Sequence, residues 1–165
     1  MLQDLLTKFG ITEALAGDAY FLGIFLAVSI AFGMFIGRFR LINVLINIYI
    51  AIAILTVMPE EIFYPYSMAT IFFFVFAVVI LTMIDSHLFD IHISGNGGSL
   101  FWRLFVMSFF EAGLIFSVFL SLWDWNIVLK FVSEDIYFIF TSQYMRIFWM
   151  LAPLLVLFFI NKKEK

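Results

Sequence analysis

The charged residues of this chain are separated from its apolar ones. Nine Lys and Arg and twelve Asp and Glu occur in 165 residues, and nearly all of them lie in short gaps between long apolar runs. Hydrophobic residues make up 65% of the chain and charged residues 13%, against about half and about a quarter in soluble domains. A chain of this size has too much surface to bury such an excess in a water-soluble core. The pattern predicts an all-α fold, a polytopic transmembrane helix bundle in which residues 1–165 form a single integral membrane domain.

Five apolar runs are long enough to be considered as membrane spans, since a helix needs roughly 20 apolar residues to cross a bilayer. They cover about residues 19–37, 41–58, 67–84, 100–123 and 136–160. Residues 1–18 are mixed, with apolar side chains on one helical face, so we expect a surface amphipathic segment there. Residues 124–135 show a similar pattern and are interpreted as an interfacial helix.

The distribution of Lys and Arg predicts the orientation of the spans. If the first short loop is cytoplasmic, six basic residues lie inside and only Lys8 and Lys130 lie outside, with Arg146 within a span. Because cytoplasmic loops carry an excess of Lys and Arg, the count predicts five spans with the N-terminus outside and the C-terminus in the cytoplasm. The six inside residues are Arg38, Arg40, Arg103, Lys162, Lys163 and Lys165.

Small and amide side chains mark possible helix-packing surfaces in the first two spans. Gly33 and Gly37 form a GxxxG motif, which lets helix backbones approach closely in lipid. The alternative is that Gly and Ala are simply common in membrane helices. Asn43 and Asn47 lie one turn apart in the second span. We interpret them as helix-packing residues that bond to a neighbouring helix, and a ligand site is the less favoured alternative.

Glu111 and Arg146 are the charges that do not follow the sorting. Glu111 lies at the middle of the fourth span, where an ionised carboxylate costs about 2.5–3.5 kcal/mol on insertion scales. It should therefore be paired, protonated, or face protein or water. Arg103 is two turns away on the same helix, too far for direct pairing, whereas Arg146 is at similar depth in the fifth span. We hypothesise an intramembrane Glu111–Arg146 pair, either as a register-setting contact or as part of a proton or ion relay.

A D-x-H motif occurs twice in the polar stretch before the fourth span. Carboxylates and imidazoles at short spacing can bind a divalent metal ion, but no single helical face collects all four residues, so a solvated loop is the preferred interpretation. No metal or other cofactor is predicted, and a metal-dependent membrane enzyme is only a minor possibility. The four weak candidate ligands are Asp85, His87, Asp90 and His92.

Other chemistry-bearing motifs are not found in the sequence. The chain has no cysteine, and its Gly-rich stretch at 94–99 lacks the GK[ST] ending of a phosphate-binding loop. There is no GxSxG or HExxH motif. The net charge of −3 gives no reason to expect nucleic-acid binding. We therefore expect a protein that is not an enzyme.

Two stretches within residues 21–122 resemble the colicin V production protein family. One is FLAVSIAFGMFIGRFRLINVLINIYIAIAIL, in which a short turn containing Gly and Arg joins two helices. The other is ISGNGGSLFWRLFVMSFFEAGLIFSVFL, a small-residue loop followed by a helix with a central Gly. The residues that fit the pattern are Gly37, Arg38 and Arg40 in the first stretch and Ser94, Gly95 and Gly113 in the second.

The resemblance implies a multi-pass protein of the bacterial inner (plasma) membrane that is not an enzyme. Its expected role is in envelope maintenance or as an accessory to secretion, and no catalytic residues carry over. The alternative is a small oligomeric transporter or channel subunit that uses Glu111 and Arg146. Expected partners are the lipid bilayer and other membrane proteins, or further copies of the chain.

Overall fold

The computed structural model describes residues 13–36, 40–59, 67–85 and 98–162, and all regular structure in these ranges is helical. Helix is found in each of the five predicted apolar runs, but the last run is divided between two helices. The helices are α1 (Glu13–Ile36), α2 (Leu41–Val57), α3 (Ser67–Asp85), α4 (Gly98–Leu122), α5 (Trp125–Val128), α6 (Glu134–Thr141) and α7 (Gln143–Lys162).

Within the described ranges, two helical segments are long and apolar enough to cross a membrane, Gly17–Ile36 and Phe101–Leu122. A third qualifies if the bent pair α6 and α7 is counted as one span, while α2 and α3 are shorter apolar helices. The fold is therefore all-α and compatible with a membrane location. Residues 1–12 of the predicted surface segment lie outside the described residues, and residues 13–18 belong to α1.

Helix α4 lies at the centre of the described helices, in contact with α1, α2, α3, α6 and α7. Two apolar clusters flank it. The first joins α2, α3 and α4 and consists of Leu41, Val44, Leu45, Ile48, Ala51, Phe74, Met107 and Leu114. The second joins α4 to α1, α6, α7 and the α5 region and consists of Phe25, Ala112, Leu120, Val128, Val132, Ile136, Phe140 and Trp149.

Close backbone approach and aromatic edge contacts hold α1 against α4. A Cβ atom on Gly33 would lie 2.5 Å from the hydroxyl oxygen of Ser108, so the two helices approach closely at this glycine. About two turns before Gly33 in α1, the ring of Phe25 makes edge contacts with Phe109 and Phe116 of α4. Such aromatic pairs add about 0.5–1.5 kcal/mol beyond the area they bury.

A hydrogen bond joins the beginnings of α1 and α6 at one end of the bundle. The carboxylate of Asp18 accepts from the backbone N–H of Ser133 at 3.0 Å. Ser133 also caps α6, since its hydroxyl accepts from the N–H of Ile136, and Glu134 and Asp135 occupy the first turn. Acidic side chains favour that position because the helix N-terminus carries partial positive charge. Sequence signals therefore account for where α6 begins.

The last apolar run is broken at Ser142, which we did not predict. Ser142 is extended (φ −61°, ψ 148°), and α6 and α7 meet at an angle of 55°. Pro153 lies inside α7 and does not end it. The predicted interfacial helix at 124–135 is also reduced, to the single turn of α5 and the beginning of α6. Because of the break at Ser142, the axis of α7 does not continue that of α6.

Gly113 of α4 packs closely against Trp149 of α7. A Cβ at this position would lie 2.0 Å from the Trp149 ring, so Gly113→Ala must displace the indole. We expect the variant to lose about 1–3 kcal/mol of unfolding free energy, the usual cost of overpacking. Unfolding with increasing SDS in mixed micelles measures this loss.

Gly23→Ala is the matched control, because nothing lies within 4 Å of the Cβ it would add. Replacing a helical Gly by Ala stabilises by up to about 1 kcal/mol where the space is open. If both variants gained stability equally, the close packing of Trp149 on Gly113 would be ruled out.

Candidate functional site

Glu111 lies at the middle of α4 and is completely buried, with 0% of its surface exposed. Met107 and Leu114, four residues before and three residues after it, are also fully buried and belong to the first apolar cluster. Residues at these spacings share one helical face, so Glu111 is on the face that packs in this cluster. Neither carboxylate oxygen has a hydrogen-bond partner among the residues that the structure describes. A carboxyl group thus occupies an otherwise apolar position.

Tyr49 of α2 lies near Glu111 and is also hydrogen-bonded to α7. Its phenol lies close enough to Glu111 for the two groups to interact electrostatically. The phenol donates a hydrogen bond to the backbone carbonyl of Met150 in α7. Met150 precedes Pro153, whose ring removes one backbone donor from this turn. Tyr49 is therefore hydrogen-bonded to the proline-containing helix α7, and it makes no hydrogen bond to the buried acid.

The carbonyl groups at the end of α6 are satisfied by side chains from α4 and α7. The hydroxyl of Ser117 donates to the carbonyl of Phe140 at 2.6 Å, and the indole N–H of Trp149 donates to that of Ile139 at 3.0 Å. Unsatisfied carbonyls cost several kcal/mol in a bilayer, where water cannot reach them. These two hydrogen bonds stabilise a helix break inside the bundle.

The hypothesised Glu111–Arg146 pair does not form. Contacts of α7 with α4, Trp149 on Gly113 and Phe148 on Phe110, place Arg146 within about two turns of Glu111 along α4. The two charges are therefore at similar levels, as expected. However, Arg146 is exposed on the outside of the bundle, whereas Glu111 is enclosed by it. Glu111 and Arg146 lie at similar levels along the bundle, but their side chains do not face each other.

The isolation of Glu111 limits its chemistry. An ionised carboxylate without a partner is strongly disfavoured in an apolar interior. Two oxygens without partners can take up a proton or contribute to a cation site formed with other oxygen ligands. Among the described residues no nucleophile is paired with a base here, and the nearby Tyr49 phenol is already bonded to a backbone carbonyl.

The other sequence-predicted residues are distributed over the bundle. Asn43 and Asn47 are buried in α2, and the Asn47 amide donates a hydrogen bond across to the hydroxyl of Thr82 in α3 at 3.3 Å. Arg103 is half-buried in the second turn of α4. Gly37 lies outside the described residues.

The four candidate metal ligands are not brought together in the part of the chain that the structure describes. Asp85 is the last residue of α3, and the other three, His87, Asp90 and His92, lie in the undescribed range 86–97. Within the described ranges, no three His, Cys, Asp or Glu side chains are close enough to hold a metal ion.

Sequence reasoning missed Tyr49, Ser117 and Trp149. Each is an ordinary membrane-helix residue by type, and each acts on a backbone carbonyl of another helix. The available signal was weak: a Trp with a polar N–H deep inside an apolar run requires an acceptor. Nothing in the sequence identifies which carbonyl accepts.

Comparison of the chain with protein-family models, with curated proteins and with solved structures gave no match. The site is therefore interpreted from its own geometry.

Because Glu111 and Arg146 do not form an ion pair, Glu111→Gln should have little effect on stability. Because Gln has the same size and no ionic contact is lost, we expect the unfolding free energy to change by no more than about 1 kcal/mol, whereas breaking a buried ion pair costs about 3–5 kcal/mol. SDS unfolding measures the difference. Ser117→Ala is the positive control, since it removes a buried hydrogen bond and should cost about 1–3 kcal/mol. A loss for Glu111→Gln that exceeded the control would show that Glu111 has an ionic partner.

Proposed function

We propose that this chain is a multi-pass protein of the bacterial inner membrane that acts by binding another membrane protein. Its role would be in envelope maintenance or as an accessory to secretion, as its resemblance to colicin V production proteins implies. It is not an enzyme under this proposal. The observation that carries the proposal is the outward position of Arg146 in an otherwise mainly apolar helix.

Arg146 is exposed at the beginning of α7, next to exposed apolar side chains and to the exposed Gln143 and Tyr144. It lies in the first turn of α7, where Met145, Ile147 and Phe148 are also exposed. Contacts of α7 with the middle of α4 place this turn well inside the candidate span Phe101–Leu122. An arginine on a lipid-facing surface at this depth costs several kcal/mol unless it snorkels or finds an acidic partner. A carboxylate on a neighbouring membrane protein satisfies this requirement.

The closed interior of the bundle favours a binding role over conduction. The carboxyl of Glu111 is sealed by helix packing, and Arg146 faces the opposite way. A pathway that used both residues would need them to line a common water-filled space. The positions of the two charges match an enclosed bundle with a binding surface on its outside.

Five crossings remain the topology that best explains the charge distribution. In this proposal α1, α2, α3, α4 and the bent pair α6–α7 each cross once, with the N-terminus outside. The hydrogen bond between Asp18 and Ser133 is consistent with it, because α1 and α6 then begin on the same side. Lys162, at the end of α7, would lie at the cytoplasmic side, in agreement with the positive-inside rule.

Site-specific photo-crosslinking in native membranes tests the binding surface. A benzoylphenylalanine at position 150, one helical turn from Arg146, should give a discrete cross-linked product with one protein. Arg146→Gln should reduce its yield about tenfold or more, because truncating one partner of a desolvated charge pair costs about 2–5 kcal/mol. Arg146→Lys should retain part of the yield, since it keeps the charge.

Position 34 of α1 is the matched control, because Met34 is exposed, as Met150 is, but lies on a different helix. We expect no discrete product there that depends on Arg146. A product of twice the mass of the chain would identify the partner as a second copy. If position 150 gave only lipid adducts, with or without Arg146, the proposed protein contact would be wrong.

A small oligomeric transporter or channel subunit is the second candidate function. Its support is the buried carboxyl of Glu111 beside a broken, proline-containing helix, because such breaks form ion sites in transporters. In this case Glu111 would bind and release a proton or a monovalent cation.

Flux through reconstituted vesicles tests this second candidate. Purified protein in liposomes that contain a pH-sensitive dye should dissipate an imposed proton gradient, and Glu111→Gln should abolish the excess rate over empty liposomes. Glu134→Gln, an exposed residue of α6, is the matched control and should leave the rate unchanged. Equal rates for all variants and for empty liposomes would exclude proton transport by this chain.

A further inference from the structure

A half-open apolar cavity of about 530 Å³ lies between α1, α4 and the α5 region. Its volume falls within the range of about 300–1,000 Å³ that is typical of small-molecule sites. No polar surface lines it. The lining residues are Phe21, Val28, Ile115, Phe116, Phe119, Leu120, Trp123, Ile127, Val128, Phe131 and Val132.

The position of the cavity favours an acyl chain as its occupant. Two of its walls are the candidate membrane spans Gly17–Ile36 and Phe101–Leu122, so in a bilayer it opens towards lipid. Burial of each methylene group of a lipid chain contributes about 0.8 kcal/mol. A flexible chain also matches a cavity without polar anchors, since it needs none. A polar or charged ligand would be left unsatisfied in this space.

A lysine lies close in the chain to three residues that line the cavity. Lys130 is exposed and lies in the turn that connects Val128 to Phe131 and Val132, all three of which line the cavity. Asp124, on the same side of the bundle, is occupied as the cap of α5, where its carboxylate accepts from the N–H of Asn126. A lysine ammonium beside an apolar cavity at a membrane interface is complementary to a lipid phosphate.

We propose that this cavity binds one acyl chain of a phospholipid and that Lys130 binds the phosphate of the same molecule. The inference rests on the proposed membrane location but not on the partner contact at Arg146. The two can therefore fail separately, because the cavity is formed by α1, α4 and the α5 region while Arg146 lies on α7.

Native mass spectrometry of the full chain in detergent tests the site. Delipidated protein is titrated with palmitoyl-oleoyl phosphatidylethanolamine and, separately, with palmitoyl-oleoyl glycerol, which has the same chains and no phosphate. Val28→Phe fills part of the cavity and should weaken binding of both lipids about tenfold, the effect of excluding roughly two methylene groups. Lys130→Gln should weaken binding of the phospholipid alone, also about tenfold, since it removes a charge-assisted contact.

Ile30→Phe is the matched control for the cavity. Ile30 is exposed to a similar degree as Val28, 42% against 39%, lies on the same helix and does not line the cavity. It should bind both lipids as the unchanged protein does. Equal affinities of Val28→Phe and Ile30→Phe would overturn the cavity as the lipid site. Equal weakening of both lipids by Lys130→Gln would overturn the phosphate contact.

Discussion

The packing of Trp149 against α4 is the contact on which the C-terminal half of the bundle depends. The indole lies on Gly113, stacks parallel to Phe140 with ring centroids 5.1 Å apart, and donates its N–H to Ile139. One side chain therefore fixes the level of α7, covers the end of α6 and satisfies a carbonyl at the break. In a bilayer, no water is available to take over that hydrogen bond. The bend at Ser142 is tolerated because protein groups replace the missing backbone partners.

The bend between α6 and α7 also bears on the exposure of Arg146. Arg146 precedes Trp149 by three residues and Pro153 by seven, a spacing that would place all three on one stripe of a straight helix. Trp149 and Pro153 are buried, but Arg146 is exposed because α7 begins only three residues before it and α6 leaves at an angle. Glu111, by contrast, is fully buried on the face of α4 that packs in the first cluster.

Apolar run length and charge spacing were sufficient to predict helix in five places and the polar gaps between them. The beginning of α6 was also readable in the cap residues Ser133, Glu134 and Asp135. The break at Ser142 was not, because no Gly or Pro marks it and its stability comes from Ser117 and Trp149, which are distant or unremarkable in sequence. The position of Glu111 was predictable from its depth, but its isolation was not, since facing depends on how neighbouring helices turn.

A contribution to the stability of the fold does not explain why Glu111 and Arg146 are charged residues. An apolar side chain of similar size would pack in the first cluster at least as well as Glu111, because a buried carboxyl without a partner gains nothing from Met107 and Leu114. The same holds for Arg146 among exposed apolar residues, where Leu or Phe would be less costly in lipid. The free-energy cost of Glu111 arises in the buried interior of the bundle, and that of Arg146 arises on its outer surface. An interior role for Glu111 and an exterior role for Arg146 are therefore independent, and loss of one leaves the physical argument for the other intact.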